Sequence, residues 1–153
     1  MYIAVVALTM LILPVLSIFI DHGLHPDPPI VLLVGRWFVF WGVGVRLALA
    51  GLRQFFQPEF TAKQIFQSSS PDVLPLVREL GVANFSASVV ALLSLGMPSF
   101  VLPAAISAGI FYGVAGVRHI MGRHRSRNEN VAMVSDLLMS AVLLIFVAAY
   151  CLR

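Results

Sequence analysis

The side chains of this 153-residue sequence with the most capacity for chemistry are Arg46, Arg53, Glu79, His119 and Asp136, joined by the neutral Asn84 and Tyr112. All of them interrupt or border long apolar stretches. An ionisable group in such surroundings is expensive, and calls for a partner or a role. A guanidinium there can hold an anion or a carbonyl oxygen, a carboxylate can balance it or pass a proton, and a histidine titrates near neutrality. Arg46 and Arg53 are seven residues apart, which on a helix brings them within about 20° of one face and roughly 10 Å apart along the axis. The opposite face carries Trp37, Trp41, Gly44, Ala48 and Gly51, so this helix is expected to have protein on both sides. Asp136 lies five residues into the last apolar stretch, about 7 Å above its start, a depth close to that of Arg46. Two readings stay open: a buried Arg46–Asp136 pair that fixes packing, or an anion, headgroup or proton site.

Glu79 and Asn84 are five steps apart, about 140° on a helical wheel, and cannot share a face. Glu79 is assigned to Arg53 or His119, and Asn84 to an interhelical hydrogen bond. Tyr112 and His119, seven apart, do share a face, and His119 reads either as a proton carrier or as a hydrogen-bonded interfacial histidine. Gly109, Gly113 and Gly116, with Ala105, form a small-residue stripe of the kind that lets helices approach closely in lipid. His22 and His25 with Asp21 and Asp27 make a loose donor cluster in a Pro- and Gly-containing turn, too weak a pattern to assign a metal. The single cysteine, Cys151, allows no internal disulfide and no CxxC pair. No GxSxG, P-loop, GxGxxG or HExxH is present, and no two in-span histidines are available to hold a haem, so no catalytic residue is assigned.

The elements that must position these residues follow from composition. The chain is 59% hydrophobic and 11% charged, with a mean hydropathy of +0.94, whereas a soluble domain has about 25% charged residues. That excludes an ordinary soluble domain and a disordered chain. Apolar stretches at 2–20, 30–52, 80–97, 100–117 and 131–152 each approach the roughly 20 residues a helix needs to cross a hydrocarbon core. The expected fold is all-α: a polytopic membrane helical bundle of one domain, with five transmembrane helices plus a short interfacial helix. The first stretch has no preceding Lys or Arg and no small-residue cleavage pattern after Ile20, and reads as an uncleaved anchor with Pro14 inside it. The interfacial helix is expected to open at Pro58 and Glu59, with Phe60, Ile65 and Phe66 in the headgroup region.

Basic residues set the orientation. The first connection, 21–29, has no Lys or Arg, while 53–79 carries Arg53, Lys63 and Arg78, and 118–130 carries Arg118, Arg123, Arg125 and Arg127. The N-terminus and both basic connections are therefore expected in the cytoplasm and the C-terminus outside. The basic stretch Arg118 to Arg127 reads first as a topology signal, with attraction to anionic lipid as a consequence and no nucleic-acid partner.

The segments RWFVFWGVGVRLALAGLRQFF (Arg36 to Phe56), RELGVANFS (Arg78 to Ser86), FYGVAGVRHI (Phe111 to Ile120) and NENVAMVSDLL (Asn128 to Leu138) together resemble a family of small bacterial inner-membrane proteins distantly similar to DoxX-like proteins. The resemblance runs from Trp37 to Leu138, about two thirds of the chain, and implies a compact membrane bundle. Some DoxX-like members are linked to quinone-dependent sulfur oxidation. The stretch 2–20 adds a fifth span to the usual four-span DoxX-like pattern. The function expected from these readings is non-enzymatic: a cytoplasm-facing polar pocket of Arg46, Arg53, Glu79, Asn84, Tyr112, His119 and Asp136 that binds a small lipid-soluble or anionic ligand, in an accessory subunit of a redox complex. The alternative is a small oligomeric transporter or proton-coupled permease, to be told apart by flux that depends on Asp136. No cofactor is evident; a quinone or a lipid is the candidate. The expected partners are the bilayer, a second copy of the chain or a membrane redox protein.

Overall fold

A computed structural model describes residues 2–121 and 126–153. Of the basic stretch discussed above, Arg123 and Arg125 lie outside the described residues. The described chain is all-helical. Helix α1 spans Tyr2–Leu24, α2 Ile30–Phe56, α4 Val73–Leu93, α5 Pro98–Ile120 and α6 Arg127–Cys151, and these five are long and apolar enough to cross a membrane. The short α3, Pro58–Gln64, joins α2 to the α4 side of the bundle. The architecture is the expected multi-pass bundle.

Observed helices begin and end away from the hydropathy limits. α4 starts at Val73, ahead of Leu80, with Pro75 in its first turn, where a missing N–H costs nothing. α6 starts at Arg127 because Ser126 caps it, its Oγ accepting from the Glu129 N–H at 3.1 Å. Hydropathy marks the apolar segment alone, whereas each helix begins before it and includes the exposed Arg78 and Glu79 in α4 and Arg127 in α6. Two helices contain wide π-wound stretches, Leu8–Ile12 in α1 and Phe38–Val45 in α2. The first lies just before Pro14, which cannot donate to the ladder. The second contains Gly42 and Gly44 and ends at Val45, so Arg46 and Arg53 share the regularly wound segment Arg46–Phe56.

Helix α2 is the centre of the bundle. Its first half packs on α1 and α6, its π-wound middle meets α1, α4, α5 and α6, and its last half packs along α4. The α2–α4 contact is backbone against backbone: a Cβ on Gly51 would sit 2.6 Å from the Gly81 carbonyl oxygen, and one on Gly81 would sit 2.8 Å from that of Gly51. The predicted stripe on α5 meets α6 within the same chain, with Gly109 facing Leu144, Gly113 facing Ser140 and Gly116 facing Leu137. Ser140 Oγ donates to the Gly109 carbonyl at 2.8 Å.

At the end of the bundle where α1 passes into α2, buried Asp21 accepts from Trp37 Nε1 at 2.9 Å and Arg36 at 3.3 Å, and faces His25 Nδ1 at 3.1 Å. Trp41 Nε1 donates to Ser17 Oγ at 2.9 Å. Trp37 ends the regular turn before the π-wound stretch and Trp41 lies within it, and both reach α1. No group of three or more His, Cys, Asp or Glu among the described residues is placed to hold a metal ion.

Candidate functional site

The opposite end of the bundle holds a cavity of about 410 Å³ to which all six helices contribute. Antiparallel alternation explains why. The start of α1, the end of α2, the start of α4, the end of α5 and the start of α6 all lie at this end, and α3 is tethered there between α2 and α4. Arg46, Arg53, Asn84, Tyr112, His119 and Asp136 line this one space. Two guanidinium groups against the single carboxylate of Asp136 leave its wall with surplus positive charge.

Arg46 sits half-buried with its guanidinium 5.7 Å from the ring centre of Tyr2, a cation–π distance. Its Nε is buried and makes no hydrogen bond among the described residues. Three acid–base contacts within 4.0 Å occur among those residues, and none of them involves Arg46, Arg53 or Asp136. Arg46 and Asp136 thus share a cavity without forming the contact ion pair that equal depth allowed. Arg53 lies over the Phe60 ring, 3.5 Å from its centre. Asn84 Nδ2 donates to Gln54 Oε1 at 2.8 Å, the interhelical bond expected of it. Buried Tyr112 donates to the Gly42 carbonyl at 2.7 Å, tying α5 to the wide stretch of α2.

Glu79 stands apart from this group. It is exposed on α4 and does not line the cavity, which Leu80 and Asn84, one turn apart, reach instead. The acid beside His119 is Glu129, buried at the start of α6, with Oε1 3.2 Å from Nδ1. Glu129 Oε2 accepts from Gln67 Nε2 at 2.6 Å, and Ser126 Oγ donates to the Gln64 carbonyl at 2.7 Å. The start of α6 is thereby tied to the end of α3. Gln67 holds a left-handed φ of 53°, uncommon for a residue with a side chain. Phe60 of α3, with Ile65 and Phe66 just after it, also lines the cavity.

Sequence reading passed over Tyr2, Gln54, Gln67 and Glu129. For Glu129 a signal existed: Ser126 and Glu129 have the S-x-x-E spacing of a capping box, which marks a buried helix start. Tyr2, at the very start of an apolar stretch, carries no comparable signal.

Fold and cavity together define a multi-pass helical membrane protein with a cationic, aromatic-lined chamber at one end of the bundle. The chain belongs to DUF6790, a family of unknown function, whose model matches residues 4–153. Neither the curated proteins nor the solved structures include a match to it.

Proposed function

We propose that this chamber binds a small lipid-soluble or anionic ligand, and that the protein is a non-enzymatic accessory subunit of a redox complex in the bacterial inner membrane. The observation that carries the reading is Arg46: a guanidinium in the low-polarity interior of a bundle, with a buried Nε that bonds to no described residue. A cation at this depth is costly unless it is fully paired, and an anionic or carbonyl group entering the cavity supplies an acceptor for Nε. Arg53 adds a second positive group, Asp136 offsets part of the charge, and His119, held by Glu129, stands at the same wall. The DoxX-like resemblance of the four motifs supports a quinone as one form of carbonyl ligand, and a membrane redox protein as the partner. The positive-inside pattern supports a cytoplasm-facing chamber with the N-terminus inside and the C-terminus outside.

Native mass spectrometry of gently solubilised protein, with extraction of the bound molecule from the same sample, tests the reading. A stoichiometric adduct is expected on the wild type. Arg46→Met should lose it while keeping a cooperative thermal transition. An adduct unchanged in Arg46→Met overturns the assignment.

A further inference from the structure

The polar chamber has an apolar neighbour. A second cavity, of about 320 Å³, lies between α2, α4 and α5. Ala83, Ala87 and Val90 wall it from α4, and Pro103, Ser107 and Phe111 from α5. The α4 residues recur at the spacing of one helical face, and Pro103 to Phe111 covers about 12 Å of α5 at the helical rise. All six are exposed, so the groove is open along the flank of the bundle.

The groove exists because of how the helices pair. α4 is committed to the last half of α2 through Gly51 and Gly81, and α5 to α6 through its glycine stripe, so α4 and α5 touch each other sparingly. Small side chains then leave a slot between them. The slot adjoins the chamber, since Leu47, Asn84 and Phe111 line both.

The geometry points to a single-chain acidic lipid as the ligand, its carboxylate on Arg46 and Arg53 in the chamber and its hydrocarbon chain in the groove between α4 and α5. This rests on the chamber reading above and names its ligand. An acid matches the surplus of guanidinium over carboxylate, and pairs bidentately with arginine. A hydrocarbon chain suits a slot lined by Ala, Val, Pro and Phe that opens toward the acyl region of the bilayer. A chain in the slot and a head in the chamber would meet at the shared residues Leu47, Asn84 and Phe111, which line both spaces.

The test is delipidated protein titrated with laurate and with dodecanol, read by native mass spectrometry, for the wild type, Arg46→Met, Ala87→Phe and Ser107→Phe. Ala87 and Ser107 are exposed on opposite walls, so bulk there fills the groove without entering the core; a retained thermal transition verifies each fold. Laurate is expected to bind at one per chain and at least tenfold more tightly than dodecanol. Each groove variant should weaken laurate at least tenfold, and Arg46→Met should abolish the preference for the acid. If both groove variants bind laurate like the wild type while Arg46→Met does not, the groove assignment falls and the chamber reading stands. If Arg46→Met also binds it unchanged, and the co-purified adduct persists in that variant, both fall. Equal binding of dodecanol, or no binding of laurate, overturns the acidic-lipid assignment, and the chamber reading is then decided by the co-purified adduct alone. A dimer that Ala87→Phe dissociates, with laurate binding unchanged, gives the groove to a second copy and overturns the proposal.

Discussion

At the scale of single residues, Tyr112 and Arg46 show how one environment assigns different work to neighbours. Tyr112 is buried and its hydroxyl has a defined acceptor, the Gly42 carbonyl. It fixes the wide stretch of α2 against α5. Tyr112→Phe removes that bond and leaves its packing intact, so a loss of about 1 kcal/mol is expected, in the range measured for bonds between helices in lipid. Reversible unfolding in mixed detergent measures it, and a change in ligand retention much larger than the stability change would make Tyr112 a binding group as well. Arg46, in contrast, has a buried nitrogen with no described acceptor, which is why its replacement is expected to act on binding first. Both residues were legible in the sequence because each is a polar group inside an apolar stretch. Glu129 was not singled out, because it precedes the last apolar stretch and reads as an ordinary charge of the connecting segment.

At the scale of elements, the two glycine contacts differ in what stands opposite. A Cβ on Gly51 meets backbone, the Gly81 carbonyl oxygen at 2.6 Å and the Phe85 nitrogen at 2.8 Å. One on Gly116 meets the Leu137 side chain first, with Cγ and Cδ2 both at 2.7 Å and the backbone nitrogen further off at 3.3 Å. Gly51→Ala should therefore cost about 1–3 kcal/mol, the usual penalty of overpacking, and Gly116→Ala visibly less. Gly96 has nothing within 4 Å of an added Cβ, and Gly96→Ala serves as the neutral control. Equal losses at Gly51 and Gly116 would contradict the backbone-to-backbone pairing of α2 with α4. The tie between α3 and α6 belongs to this scale too. Glu129→Ala removes the acceptor that His119 and Gln67 share and should free the 57–72 segment, with faster cleavage there by an added protease and a stability loss of about 1–3 kcal/mol. Unchanged cleavage would mean that burial of Pro58, Thr61 and Ala62, with the Ser126–Gln64 bond, holds α3 without Glu129.

At the scale of the whole molecule, five helices are long and apolar enough to cross a membrane, and the two polar networks sit toward opposite ends of the bundle. With the orientation proposed above, the chamber faces the cytoplasm and the Asp21 network faces outward. Cys151 is the only cysteine of the chain and is exposed at the end of α6. A membrane-impermeant maleimide should therefore label intact cells with a permeabilised outer membrane, and an Arg153→Cys variant in a Cys151→Ser background should behave alike. Labelling only after the inner membrane is broken would reverse the orientation and turn the chamber outward.

The number of crossings, the place of α3 and the shared end of Arg46, Arg53, Tyr112, His119 and Asp136 were determined by the sequence itself. In hydrocarbon each span must satisfy its own backbone, so a span is a local property, and alternation then assigns every polar residue a depth and a side. Which helices are neighbours was decided only by the tertiary structure. Depth says nothing about rotation or lateral order; those follow from close approaches such as Gly51 against Gly81, and from the π-wound stretches that shift the phase of everything beyond them. For that reason Arg46 and Asp136 could be placed at one level but not said to touch, Glu79 could be mistaken for the partner that Glu129 is, and the slot between α4 and α5 came into view only once each had been paired with another helix.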